Sequence, residues 1–476
     1  MEAASIATSA TKGVNLLSPN STLTTQKLTK PKLLKFNPKP RNNALFLPRC
    51  STKPDTNTDN VEDQDSTFDI GLDSEQPKSS KPNSSDQISS PSPPSSSSSG
   101  GLVFDLGTGN SWDGAEVGSP VVKRFLSDEE ERWYMWYHGR SKPNNNNDSN
   151  PCLDSIGLAV SSNGVHWERG VGPVQSSRDV GSVMSCGKDW WAFDTLSIRP
   201  SEVVIMSSSK VRASSAVYWM YYTGFSSEEV EISQDSLGYS FENPERFFGE
   251  FEDKKEIHKS LPGLAISQDG RYWARIEGEH HSGALFDVGS EKEWDSLFIA
   301  SPQVVFHGNG DLRMYYHSFE VGNGEFCIGM ARSRDGIRWV KLGKIIISGE
   351  KKNGGFDEVG VLNPNVVRSR KDGKYLMAYE GVNGKGERSI GLAVSQDGLK
   401  EWKKVKDEAV LKASEAKNGW DNRGVGSPCL VQMDGEEDEW RMYYRGVGSE
   451  GSTGIGMAAS HGSDFGRFRR WTGFHM

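Results

Sequence analysis

From Trp112 onward the chain alternates short apolar stretches with turns rich in glycine, serine and acids, and no stretch keeps a helical period. The clearest example is Trp420 to Ser460, WDNRGVGSPCLVQMDGEEDEWRMYYRGVGSEGSTGIGMAAS. It opens on an aromatic and an acid, and reaches Pro428 seven residues after Asp421. An apolar run (Cys429, Leu430, Val431), a turn, WRMYYRG, a second turn and an IGMA run follow. Segments of this length, β-branched or aromatic and bounded by turn residues, predict antiparallel strands joined by tight turns.

The same grammar recurs four more times. The copies open at Trp112-Asp113, Phe193-Asp194, Trp294-Asp295 and Phe356-Asp357, and carry WYMWYHGR, VYWMYYTG, LRMYYHS and YLMAYEG as second strands. From Asp295 to Asp357 is 62 residues and from Asp357 to Asp421 is 64, which sets the bare repeat; insertions stretch the earlier intervals. A four-stranded unit that cannot bury its own apolar face must stack on copies of itself, and five of them arranged radially make a five-bladed β-propeller of four-stranded antiparallel blades. The start of strand one and the end of strand two then share one face of each blade.

Before the repeats the composition changes. No acid occurs between Ala3 and Pro54, whereas Lys and Arg are scattered among many Ser and Thr. Residues 1–50 therefore read as a plastid transit peptide, with Pro48-Arg49-Cys50-Ser51 as the processing region and the chloroplast stroma as destination. Residues 51–100, ending in PSPPSSSSSGG, read as a disordered Ser/Pro-rich linker, and 101–476 as the propeller, with blades starting near 112, 193, 294, 356 and 420. Taking the leader's eight Lys and Arg and one Glu from totals of 55 and 64 leaves 47 bases against 63 acids, a net charge of −16. That balance excludes nucleic acid as the main partner, and no apolar run approaches the ~18 residues of a membrane span. Cys152, Cys186, Cys327 and Cys429 lack CxxC spacing and are expected to be buried free thiols.

Repetition separates structure from chemistry, because a catalytic group is needed once and a building block in every blade. The Asp-Gly and Asn-Gly pairs at 163, 269, 335 and 397 recur and are expected to make turns. Asp113, Asp194, Asp295, Asp357 and Asp421 also recur. They are expected to cap interblade turns while ringing one face, where they would also hold a hydroxyl-rich ligand; a calcium ion at the axis is the alternative, and no other cofactor or metal is expected. The residues closing the second strands do not recur: His138, Arg140, Thr223, His317 with Glu320, Glu380 and Arg445. With Arg199 they would form a polar rim suited to a carbohydrate or sugar phosphate. The insertions Ser141 to Asn150 and Ser226 to Ser260 are candidate lids on that face.

The SP-type inner strands, the MYY triplets, the IGLAxSxDGxxW repeats and the absence of an evident strand exchange resemble the five-bladed glycosidase propellers of glycoside hydrolase families 43, 32, 62 and 68, including arabinanases, invertases and levansucrases. VGSPVV and MWYHGR are also similar to the mannoside phosphorylases of family 130. The resemblance covers residues 110 to 476 and implies catalytic carboxylates on the first strands of blades one to three. The matching positions hold Ser119 before Pro120, Arg199 and Ser201 around Pro200, and Ala300. If the chain is an enzyme, its acids come from elsewhere on the same face: Glu380 with Asp113 or Asp194 opposite. The alternative is a noncatalytic propeller binding a sugar or a plastid protein partner.

Overall fold

The computed structural model describes residues 100–126, 131–142, 152–170, 179–206, 217–230, 257–308, 310–346, 354–434, 439–462 and 464–473. The expected leader, nearly all of the linker and most of both candidate lids lie outside these. The described elements are all strands. After β1 (Leu102–Phe104), the first antiparallel meander is β2 (Glu116–Leu126), β3 (Glu131–Arg140), β4 (Asp154–Ser161) and β5 (Glu168–Arg169), with β6 (Ser182–Met184) also pairing β4. The second is β7 (Ser197–Ile205), β8 (Tyr218–Val230), β9 (Ile257–Ser267) and β10 (Ala274–Ile276). The third is β11 (Ala300–Gly308), β12 (Asp311–Glu320), β13 (Glu325–Ser333) and β14 (Trp339–Ile346). β15 (Gly360–Arg368), β16 (Tyr375–Val382), β17 (Arg388–Ser395) and β18 (Lys403–Lys404) make the fourth. β19 (Gly424–Gln432), β20 (Trp440–Val447), β21 (Thr453–His461) and β22 (Asp464–Arg470) make the fifth.

Each meander buries its apolar face against the next. Five hydrophobic clusters lie one at each junction, including one in which Val117, Trp133 and Met135 of the first meander meet Tyr443, Ile455 and Met457 of the fifth. First strands lie side by side in chain order, and β19 lies against β2. The start of each third strand bonds to the start of the next first strand. Parallel bridges do this at Asp154–Ser197, Phe326–Gly360 and Arg388–Gly424, Ile299 N donates to Ser260 O, and Val117 N donates to the Thr453 hydroxyl.

The recurring Asp-Gly and Asn-Gly turns explain part of the repeat. In each, the acid or amide oxygen accepts two backbone N–H groups two and three residues on, as Asp335 does from Ile337 and Arg338. The following glycine takes positive φ, 73° at Gly164, and its carbonyl accepts an aromatic donor from the preceding meander. Trp136 reaches Gly270, Tyr221 reaches Gly336, Tyr315 reaches Gly398, and Tyr443 of the fifth meander reaches Gly164 of the first.

Two features depart from the sequence reading. Leu102–Phe104 pairs with Ile455 and Gly456 of β21, so residues preceding the first meander hydrogen-bond to the last, where no strand exchange was evident. Cys152 and Cys186 form a disulfide rather than free thiols, whereas Cys327 and Cys429 are buried and free. Their 34-residue separation gave no local cue, because register alone brings the two together.

Candidate functional site

The five recurring acids are building blocks of one design. Each is buried and accepts a hydrogen bond from the second-strand tyrosine of its own meander: Asp113 from Tyr137, Asp194 from Tyr222, Asp295 from Tyr316, Asp357 from Tyr379 and Asp421 from Tyr444, at 2.9–3.1 Å. The same oxygen meets a cation from the fourth strand: Arg169, Arg275, Lys341, Lys404 and Arg470 respectively. Burial, then the neighbouring carboxylate, pushes all five tyrosine hydroxyls up, so the tyrosine is the donor. The acids thus tie strand four to strand two within a blade. None of them is in the group of side chains that lie close enough to share an ion among the described residues, and Glu380 belongs to a separate hydrogen-bonded set. Tyr316→Phe should cost about 1–2 kcal/mol in denaturant unfolding, because it removes one of the donors to a buried carboxylate; an unchanged midpoint would mean that Lys341 suffices.

A second set of polar groups runs from meander to meander at the inner strands. Four of these strands carry a bulge just before a proline, where Ser119, Ser301, Asn363 and Ser427 hold φ of 47°, 52°, 49° and 45°. Left-handed backbone at residues other than glycine costs roughly 1 kcal/mol or more each and persists where surrounding bonds impose it. Here Ser301 N donates to Thr223 Oγ1 at 2.9 Å and Ser301 Oγ to Asn363 Oδ1 at 2.6 Å. Asn363 Nδ2 donates to Glu380 Oε2 at 2.8 Å, and Ser427 N to the same oxygen at 2.9 Å. Gly426 makes that approach possible, since a Cβ there would lie 2.1 Å from Glu380 Oε2. Arg388 binds the other oxygen of Glu380.

The circuit continues with Arg445 Nη2 donating to Glu116 Oε1 at 2.7 Å, with His138 Nε2 at 3.3 Å from that oxygen. Arg140 lies between Glu116 and Asp154, donating through Nε to Asp154 Oδ1 at 2.5 Å. Asp154 Oδ2 accepts from Ser197 Oγ at 2.6 Å and from Arg199 Nε and Nη2 at 3.0 and 2.9 Å. Three carboxylates are therefore matched by four arginines, with Arg388 and Arg445 lining a cavity of about 10 Å³, room for one water. A groove of about 540 Å³ lies elsewhere, along Lys406, Glu408 to Ala416, Gly466 to Phe468 and Arg470, without these charges.

Burial works against ionised acids here, but Arg445, the His138 bond and Arg140 together hold Glu116 well below the usual carboxylate range. Against the same burial, Arg199 and Arg140 hold Asp154 low. Both histidines are held neutral. Burial and then Arg199 lower His138, against the pull of Glu116, while burial and then Arg388 lower His317 to about 3. Because His317 Nδ1 accepts the backbone N–H of Asn363 at 3.2 Å, its proton belongs on Nε2, which is buried with no hydrogen-bond partner among the described residues.

Of the residues expected on the rim, the structure brings together His138, Arg140, Arg199, His317, Glu380 and Arg445, and assigns Asp113, Asp194, Asp295, Asp357 and Asp421 to the blade interiors. Glu320 is also elsewhere: three residues past His317 it faces the other side of the strand, 2.7 Å from Lys344 Nζ. Glu320, Glu325 and Cys327 lie close enough to share an ion, but Lys344 occupies Glu320, and burial, with Glu325 next, pushes the Cys327 thiol up to about 12. Sequence reasoning missed Glu116, Asp154, Asn363 and Arg388. One signal was available. The residue two before the apolar-Gly pair that opens each third strand reads Asp154, Ser260, Phe326, Arg388 and Thr453, and such variation within a repeat marks a position freed from blade building.

No protein-family model and no curated relative matches the chain. Solved structures do: BT0996, solved as an RGII complex, and a protein described as "Glycoside hydrolase" each align with a TM-score of 0.51 and 13% identity, over 77% of this chain and 92% of theirs. A thermostable family-43 glycoside hydrolase aligns with a TM-score of 0.47 and 18% identity, over 76% and 95%. The likeness is one of fold: an all-β propeller of the kind found in glycoside hydrolases. No helix among the described residues is long and apolar enough to cross a membrane.

Proposed function

We propose that the chain is a five-bladed propeller whose axial polar face binds a carbohydrate or sugar phosphate, and that it does so without the two-carboxylate hydrolysis of its fold relatives. The cyclic junctions from β2 through β19 and back to β2 support the ring. The observation that carries the noncatalytic reading is the arginine saturation of Glu116, Asp154 and Glu380. Glycoside hydrolysis needs one carboxyl that keeps its proton near neutral pH. Glu116 and Asp154 are pushed the opposite way, and Glu380 accepts from Arg388, Asn363 and Ser427 at once. Residues 1–50 as a transit peptide and the stroma as location complete the proposal, and the charge balance leaves a protein partner as the second reading.

Thermal unfolding of the full chain against neutral sugars, sugar phosphates and calcium tests it. A ligand at about a hundred times its dissociation constant stabilises the folded state by ~2.7 kcal/mol. We expect a shift with at least one sugar, abolished in Arg445→Ala, with no glycoside turnover in the same samples. Turnover lost in Glu380→Gln would return the chain to the hydrolases; no shift with any sugar would favour the protein partner.

A further inference from the structure

In each of the five loops that lead into an inner strand, the aromatic just before the acid packs on the tyrosine of the second strand. Trp112 lies on Tyr137, Phe193 on Tyr222, Trp294 on Tyr316, Phe356 on Tyr379 and Trp420 on Tyr444, with ring centroids 5.3–6.0 Å apart. Phe193 therefore meets the building requirement of the second loop. That loop nevertheless carries two more aromatics, Trp190 and Trp191, with no counterpart between the opening Gly or Ser and the acid in the other four. Trp190 is 92% exposed and Trp191 41%.

The loop is built rather than loose. Cys186 at its start is bonded to Cys152, Gly187 N donates to Asp194 O, Ala192 N to Asp189 O, and Phe193 N to Ser282 O. Its far end runs into Ser197, whose hydroxyl binds Asp154, so the loop stands at the same end of the blades as the axial charges. An indole held in water on a braced turn presents a flat apolar surface at little ordering cost, which suits the C–H face of a pyranose ring. Lys188 and Asp189 beside it are exposed and offer a donor and an acceptor for ring hydroxyls.

We propose that Trp190 is a carbohydrate-stacking platform continuous with the axial site, and that the ligand is accordingly an oligosaccharide of at least two sugar residues. The proposal rests on the carbohydrate reading above. It is tested with the full-length chain by calorimetric titration with gluco-, manno-, xylo-, arabino- and galacto-saccharides of one to six residues. For the sugar that binds, affinity should rise about tenfold from the monosaccharide to the longer forms, the scale set by covering one large side chain. Trp190→Ala should lose that rise and keep the monosaccharide affinity, with an unchanged melting temperature because the side chain is exposed. Indole emission should shift to shorter wavelength with the oligosaccharide in wild type, and the shift should vanish in Trp190→Phe. Oligosaccharide affinity equal to wild type in Trp190→Ala would overturn the platform alone. No sugar bound by wild type would overturn the platform together with the carbohydrate reading.

Discussion

Asp154→Asn should destabilise the chain by about 3–5 kcal/mol, the range for removing one member of a buried ion pair. Asp154 is fully buried, and its carboxylate accepts from Arg140, Arg199 and Ser197. An asparagine keeps the shape but removes the Asp154 charge that pairs with the guanidinium of Arg199, 2% exposed. Denaturant unfolding with an unchanged slope measures the loss. The double variant Asp154→Leu with Arg199→Met should recover much of it, because replacing a buried pair by apolar groups is often neutral whereas breaking it is not. For contrast, Glu279→Gln, which breaks the exposed Arg338–Glu279 pair, should cost under ~1 kcal/mol. A midpoint for Asp154→Asn within experimental error of wild type would show that the axial charges do not depend on one another.

The difference between Asp154 and Asp113 also explains what was legible in the sequence. Asp113 repeats, so its spacing to the tyrosine and to the fourth strand recurs in every copy, and the repeat alone exposed a structural role. Its partners were less legible, because the expected backbone N–H groups turned out to be a tyrosine hydroxyl and a cation 24 and 56 residues away. Asp154, Glu116 and Arg388 act once each. Arg199 reaches Asp154 across 45 residues and Arg445 reaches Glu116 across 329, distances over which one sequence carries no pairing signal. Strand alternation was the other source of error. His317 and Glu320 are near neighbours in sequence, but an odd spacing in a strand sends them to opposite faces. Glu380 and Arg445 were found because they break the repeat at a position whose geometry the repeat had already fixed. The surroundings of Glu380 were not legible, since the donors around it come from β15, β17 and the bulge at Ser427, and none of these is visible from β16.

Acidification should weaken the fold well before its carboxylates titrate, and His317 should be the reason. In the unfolded chain a histidine takes up its proton near pH 6.5, whereas the folded chain admits none at His317 until about pH 3. Stability is thus intact above pH 6.5 and lost as pH falls from there towards 3, at up to about 1.4 kcal/mol per pH unit for each such proton. Burial of the ring is the first cause, and the groups that face it add to it. Arg388 approaches from β17, the Asn363 amide from β15 occupies Nδ1, and Phe298 and Phe326 pack near the ring at centroid distances of 6.0 and 6.4 Å. None of them accepts a second proton's charge. His138 is lowered too and adds a slope of the same sign, whereas Asp154 and Glu116, held low, begin to withdraw their contribution only below about pH 5. His317→Gln keeps an acceptor for Asn363 and removes the titration, so its unfolding free energy between pH 6 and pH 4 should fall by about one proton's slope less than that of wild type. Equal slopes in the two proteins would mean that His317 is already protonated in the fold, and would place a positive charge beside Arg388 that some further anion must then balance.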